Sequence, residues 1–485
     1  MRSFSSLILL AAIGLTHPAT AAEIAKPTTA PTTRPFTISK ETTYVTGPVR
    51  KDGTIDYVAA TNLRLSKGVT KENNAAIPLL EAVTQTTAGM APHYAKVRKE
   101  LGVPEPAADA KNTNNIPDIG NLLDDTLIAP WTAQKFPEVV RYLDSMKGPL
   151  DLLVEASRRE EFYMPLVREH EDDSMVSILL PHLNSMRRLC QALKSRALLC
   201  LGNEDIKGFR RDAIAIVRIS RLSTHAPTMI ESMVGIACEA VGLDAIKIAT
   251  SGSWLSEAES NQLLADLRAA PPRRKMYEVL EGCERGTLLE FLQVAAVHGV
   301  VTAQKMLQPM GKDAPVFSTA NVTTKDWNAA LRKANEWYDR LADTGKIQDY
   351  PDRIKAADAV MHDIGELKAK YDGWKSIFAP IEDQLVTLLV PAMQRAYTLD
   401  ARIAANEELT QTALALLAFR TKLGEYPPKL QLLVPTYFKS EPIDPFTSKP
   451  LIFKTVGAGY ELMSTGPGTK NVQAKSDDLV IRVGN

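Results

Sequence analysis

From Glu138 to about Gly424, apolar residues recur at three- and four-residue spacing almost without interruption. That period predicts amphipathic helices. In "RDAIAIVRISRL", Ile214, Val217, Ile219 and Leu222 fall toward one side, while Arg211, Arg218 and Arg221 can occupy the other. Breaks come where helical hairpins would turn. Gly202-Asn203 separates two helical patterns, Pro227 precedes the next, Ser256 and Glu259 have capping-box spacing, and Pro271-Pro272 ends the helix they begin. Thr323 and Asp326 repeat the spacing before "WNAALRKANEWYDRLA". The fold class expected is mainly α, an irregular array of antiparallel helical hairpins. The units have no fixed period, so a tetratricopeptide solenoid is not expected.

Both ends of the chain break this pattern. Residues 36–137 read as a mixed, loop-rich region, with a β-prone run near "ETTYVTG", a Gly47-Pro48 turn, and a short helix around Tyr57 to Leu65. Thr70 is the expected N-cap of a helix running past Leu80. Residues 138–424 are the helical array, whose last helix runs from about Pro380 to Leu423 and stops at Gly424, a natural left-handed C-terminal residue. Residues 425–485 change to proline-punctuated turns and strands: "PLIFKTV", "YELMST" and "DLVIRV" predict a small antiparallel sheet. Such a sheet needs an apolar partner. Tyr426, Phe446, Phe453 and Tyr460 are therefore expected to be buried between sheet and helix.

The first residues bear on compartment. "MRSFSSLILLAAIGLTHPATAA" has Arg2, an apolar core from Leu7 to Leu15, and Ala19 and Ala21 at A-x-A spacing. That reads as a signal peptide over residues 1–21, with the exported chain starting near Ala22. Residues 22–35, rich in Thr and Pro, read as a disordered linker. The apolar core is shorter than the roughly 20 residues that span a bilayer, so no transmembrane segment is expected after cleavage. The localisation expected is periplasmic or extracellular.

Composition is that of an ordinary folded chain, 45% hydrophobic and 24% charged over 485 residues. With 57 basic and 57 acidic residues the formal charge is zero, which gives no long-range attraction to nucleic acid. Cys190 and Cys200 lie about 15 Å apart along one continuous helix and cannot bridge. Buried thiols are the first reading of the four cysteines, and Cys238–Cys283 or Cys200–Cys238 bridges are the alternatives.

The combination "LGEYPPKLQLLV…YFKSEPIDPFTSKPLIF…GYELMSTGPG" resembles the globular head of type II secretion major pseudopilins. "ETTYVTGPVRKDGTIDYVAATNLRLSKGVTKENNAA" together with "DPFTSKPL" is similar to an uncharacterised family of bacterial exported helical proteins. The first resemblance covers about the last 65 residues and implies a helix followed by a small sheet; the second covers most of the exported chain. The helix before the tail carries Arg395, Asp400 and Arg402, unlike a pseudopilin's membrane-spanning helix, so filament assembly is not implied. Calcium, which such heads can bind, would find only Asp477 and Asp478 in the final loop, where it needs six to eight oxygens.

Candidate chemistry is sparse. "STGPGTKN" lacks the Gly-Lys-Ser/Thr and helix of a phosphate loop, since Asn471 follows Lys470. No G-x-S-x-G, H-E-x-x-H or paired C-x-x-C occurs. Asp358, His362 and Glu366 share a helical face but spread over about 12 Å, which favours a solvated face over a metal site. "REHEDD" (168–173) reads as a charged loop with His170 among carboxylates. Trp327, Leu331, Ala334, Tyr338 and Leu341, with Trp337 beside them and Trp374 further on, read as core rather than a sugar-stacking surface. No metal and no cofactor is expected.

What remains is the apolar helix "TMIESMVGIACEAVGLDAI", which carries Glu231 and Glu239, about 80° and 12 Å apart. A buried carboxylate needs a partner, and Arg187, Arg188, Arg196, Arg218 and Arg221 are the nearest arginines in sequence. The cluster reads either as a salt-bridge network tying helices together or as a binding or acid–base site. The function expected is an exported non-catalytic binding or scaffolding protein for a protein, peptide or glycan of the cell envelope. The alternative is an extracytoplasmic hydrolase using buried carboxylates of the array.

Overall fold

Several helix starts coincide with a side chain that accepts a backbone N–H. In the computed structural model, which describes residues 34–86, 90–105, 119, 121–171, 173–306, 327–370, 381–467 and 479–484, the chain is mainly helical. The first helices are α1 (Tyr57–Leu65), α2 (Ala76–Thr86), α3 (Ala91–Leu101), α4 (Leu122–Asp125), α5 (Pro137–Ser145) and α6 (Lys147–Ala156). Three long ones follow: α7 (His182–Gly202), α8 (Ile206–Ser223) and α9 (Met229–Thr250). Then come α10 (Glu257–Arg268), α11 (Met276–Val279), a π-helical turn at Leu280–Glu284, α12 (Arg285–His298), α13 (Val300–Lys305), α14 (Trp327–Lys346), α15 (Tyr350–Lys370) and α16 (Ile381–Leu423). Asp56 and Asp205 cap α1 and α8, and full capping boxes open α9 (Thr228, Glu231) and α10 (Ser256, Glu259). The signal segment, the linker up to residue 33, Thr323, Asp326, Trp374, Lys470, Asn471, Asp477 and Asp478 lie outside the described residues.

The centre of the array is α7, α8 and α9 packed together, with α16 on the far side of α9. α9 is apolar on nearly every face because it is covered from both sides. Gly242 lets α9 approach α8 closely: a Cβ there would lie 2.8 Å from Val217 Cγ2 and 3.1 Å from Ile216 Cγ2. Among the described residues, no helix is long and apolar enough to cross a membrane. The four cysteines are free thiols, three of them buried; neither alternative bridge is formed, and the side-chain neighbour of Cys238 is Cys190.

Residues 34–56 form a strap across α12 and α14. Arg50 pairs with Glu290 at 2.6 Å, Gln293 Oε1 accepts Ile55 N at 2.8 Å, and Gln293 Nε2 donates to the Tyr57 hydroxyl at 2.7 Å. That hydroxyl donates to Thr43 O, and Asn335 Nδ2 donates to the carbonyls of Glu41 and Thr42. The Arg285 guanidinium lies 4.2 Å from the Tyr44 ring centroid. The expected β run is therefore not a strand: its carbonyls go to side chains of α14 and α1, Glu41 and Thr42 to Asn335 and Thr43 to Tyr57, and a single bridge, Val49 to Ile55, follows it. Thr70 is not an N-cap either. It closes a turn with Asn73, and Asn74 Oδ1 accepts Ala76 N at the start of α2.

α16 ends at Gly424, whose φ of +88° continues the chain where a Cβ would be strained. Its N–H donates back to Arg420 O at 2.7 Å. A 3-10 turn (Leu430–Leu433) leads to a two-residue ladder, β1 (Ile443–Asp444) with β2 (Lys449–Pro450). The antiparallel sheet β3 (Ile452–Val456), β4 (Gly459–Ser464) and β5 (Leu479–Val483) follows in that order. Tyr460, Leu462, Ile481 and Val483 are buried on the face toward α16. Tyr426 stacks edge-on against Tyr460 at 4.8 Å, as does Phe446 against Tyr350 at the same distance. Phe453 is only partly buried, because α16 packs on β4 and β5 rather than on β3.

Candidate functional site

Both glutamates of α9 are withdrawn from water, Glu231 at 2% exposure and Glu239 at 0%. The structure separates them into two clusters. Glu239 belongs to a ring of two acids and two bases. Its Oε1 accepts from Arg221 Nε at 2.7 Å and from Arg273 Nη1 at 3.4 Å. Arg221 Nη2 reaches Glu407 Oε1 at 2.8 Å, and Arg273 Nη1 and Nη2 hold Glu407 Oε2 at 2.8 and 2.6 Å. The ring joins α8, α9, the connector after Pro272, and α16. Burial pushes the Glu239 carboxyl above its usual pKa against the pull of Arg273 and Arg221, and its Oε2 has no hydrogen-bond partner. Next to the ring, burial and the neighbouring Glu407 push Glu408 up to about 7, with Arg268 opposing.

Glu231 does a different job. As the third residue of α9 it completes the capping box, its Oε2 accepting from Thr228 N at 3.0 Å and Thr228 Oγ1 at 2.7 Å. His182 Nε2 stands 3.3 Å from its Oε1. Glu284 Oε1 accepts Met229 N at 2.9 Å, so two carboxylates serve the amide groups at the start of one helix. Burial raises the Glu284 pKa, and the Glu231 charge raises it further.

Of the arginines expected near these glutamates, only Arg221 meets one. Arg196 is held by Asp212 (2.7 Å) and Asp151 (2.8 Å), because Asp212 is itself fully buried and needs a cation. Arg218 donates to Ser157 O at 2.7 Å and Ala269 O at 3.2 Å, serving carbonyls just past the ends of α6 and α10. Arg187 is half-buried and Arg188 exposed, and neither makes an ion pair with Glu231 or Glu239. Arg273 and Glu407, which complete the ring, were missed because nothing local marks them. The Thr228-x-x-Glu231 spacing was a readable signal for the cap.

The remaining motifs resolve into structure. Asp358, His362 and Glu366 are all exposed. Among the described residues, no group of three or more His, Cys, Asp or Glu could hold a metal ion. In the charged loop, Arg168 holds Asp56 through both terminal nitrogens (3.0 and 2.6 Å), and Asp173 Oδ2 accepts the amides of Glu169 and His170. Leu331, Ala334, Tyr338 and Leu341 are core. Asp444 of the tail is 2% exposed and already accepts from Phe446 N, Ser464 Oγ, Thr465 N and Thr465 Oγ1. Four donors around one carboxylate make a turn anchor, not a cation ligand. Compared with protein-family models, with curated proteins and with solved structures, the chain matches none of them.

Proposed function

We propose that the chain is an exported, non-catalytic binding or scaffolding protein of the cell envelope, with a helical array as its body and the C-terminal sheet as an appended module. The observation supporting this is how the buried carboxylate of α9 is engaged. Glu239 is held by two arginines that also hold Glu407, and Glu231 is a helix cap, so neither is arranged to contact a substrate. The test is Glu239→Gln, assayed by melting, by capture of partners from the native envelope, and on a broad hydrolase panel. An unchanged captured set, with no turnover in either protein, is expected. Turnover by the parent that the variant loses, at equal Tm, overturns the reading.

A second reading, an extracytoplasmic hydrolase, is favoured by Glu408. A carboxyl pushed up to about 7 is partly protonated near neutral pH, as a general acid requires. Under this reading Glu408→Gln abolishes turnover while the fold is kept.

A further inference from the structure

The backbone of β3 is only half used. Val456 and Gly459 close a tight turn over Gly457 and Ala458, with Gly457 at a φ of +56°. They are therefore a hydrogen-bonded pair, and the pairs alternate from there. Val456, Lys454 and Ile452 spend their N–H and C=O groups on β4, while Thr455 and Phe453 aim theirs the other way. Leu451, next in the alternation, already uses that side: its N–H donates to Pro442 O at 3.0 Å, just before β1. Past it, among the described residues, no backbone group bonds the outward N–H and C=O of Phe453 and Thr455. α16 packs on β4 and β5, so these groups stand in line at an open edge.

The outer face of the sheet says what the edge accepts. Each strand places one residue in a charged row, Lys454 on β3, Glu461 on β4 and Arg482 on β5. Glu461 is taken by Arg482 at 2.8 Å, and Lys454 has no ion pair among the described residues. On either side of Lys454, Ile452 and Val456 are 45% and 46% exposed. The row thus ends in an unanswered cation between two uncovered aliphatic side chains. A second copy of β3 does not answer it. The antiparallel register that uses every outward group of Phe453 and Thr455 sets lysine against lysine, and like charges directly opposite are destabilising.

We infer that β3 is a docking edge for an extended segment of another protein, one with an acidic residue flanked two positions away on each side by apolar ones. The segment adds as an antiparallel strand beside β3. Its backbone pairs with Phe453 and Thr455. Its acid falls opposite Lys454 in a non-hydrogen-bonded pair, where side chains stand closest, and its apolar residues cover Ile452 and Val456. The charged row then alternates in sign from the new strand to β5. This docking goes beyond the function of the array, since a binding body and a hydrolytic one present the same tail.

The test is a titration of the full chain, isotopically labelled at Phe and Thr, with the end-capped peptide Lys-Thr-Val-Thr-Glu-Ile-Val-Thr-Lys, followed through the amide resonances of Phe453 and Thr455. Both should shift. The same peptide with Lys in place of Glu should bind about fivefold more weakly, the factor that one cross-strand charge pair supplies. Lys454→Glu should reverse that preference. Thr455→Pro removes an outward N–H without taking a bond from the β4 ladder, and should abolish binding of both peptides. Should Thr455→Pro fail to fold, the charge reversal still decides. No shift with the Glu peptide, equal affinity for the two peptides, or a preference that Lys454→Glu leaves unreversed overturns the docking edge. Shifts of the two amides on raising the chain concentration without peptide make a second copy the occupant, and overturn it as well.

Discussion

Glu239 is fully buried and relies on Arg221 and Arg273, so removing Arg221 strands its carboxylate. Breaking a buried pair from one side costs about 3–5 kcal/mol, and Arg221→Met should cost that much by chemical denaturation. Glu408 gives the opposite result. Its folded pKa of about 7 exceeds the ordinary glutamate value of 4.5, so it contributes stability below pH 4.5 that is lost as pH rises through 7. Glu408→Gln should therefore be more stable than the parent at pH 8, by about 1–3 kcal/mol, and the gap should close by pH 4.5 in paired melts. At this scale the sequence marked α9's glutamates as buried but not what would meet them. Glu239 and Arg273 are 34 residues apart, and Arg273 and Glu407 are 134. Such pairings depend on which helices become neighbours, which periodicity does not encode.

Local chemistry made most elements readable. Apolar period, the Ser256–Glu259 capping box and the Gly424 stop all act within a few residues, and each appears in the structure. Where an element depends on distant groups, the reading failed. The "ETTYVTG" run has β-prone residues, yet Asn335 takes two of its carbonyls. The tail aromatics show the same limit within one sheet: alternation places Phe453 on the inner face, but only the docking of α16 on β4 and β5 reveals that β3 is less covered. Truncating a buried aromatic costs about 3–5 kcal/mol. Tyr460→Ala, at 2% exposure and in contact with Tyr426, should open the tail to limited proteolysis at protease concentrations that leave Phe453→Ala largely intact.

On the scale of the whole molecule, the strap is the longest-range tie. Glu290 is 1% exposed and relies on Arg50, with Met175 N on its other oxygen. Arg50→Ala strands that carboxylate and should cost about 3–5 kcal/mol, read by denaturant midpoint; Arg141→Ala, on an exposed pair, should change stability by less than about 1 kcal/mol. The helical class, the terminal sheet and the change of texture near Gly424 were legible because they are sums of local signals. The strap and the charge ring were not, being properties of the assembled neighbourhood.

The strap also fixes an order of events in time. Arg50 and Ile55 find their partners 240 and 238 positions later in the chain, and Asn335 secures Glu41 and Thr42 across nearly 300. Ribosomes add residues from the amino end at about 5–20 per second. The first residues therefore wait on the order of ten seconds or more before the surfaces that hold them exist, and contacts of such separation close slowly even then. Through that interval the leading segment stays threadable.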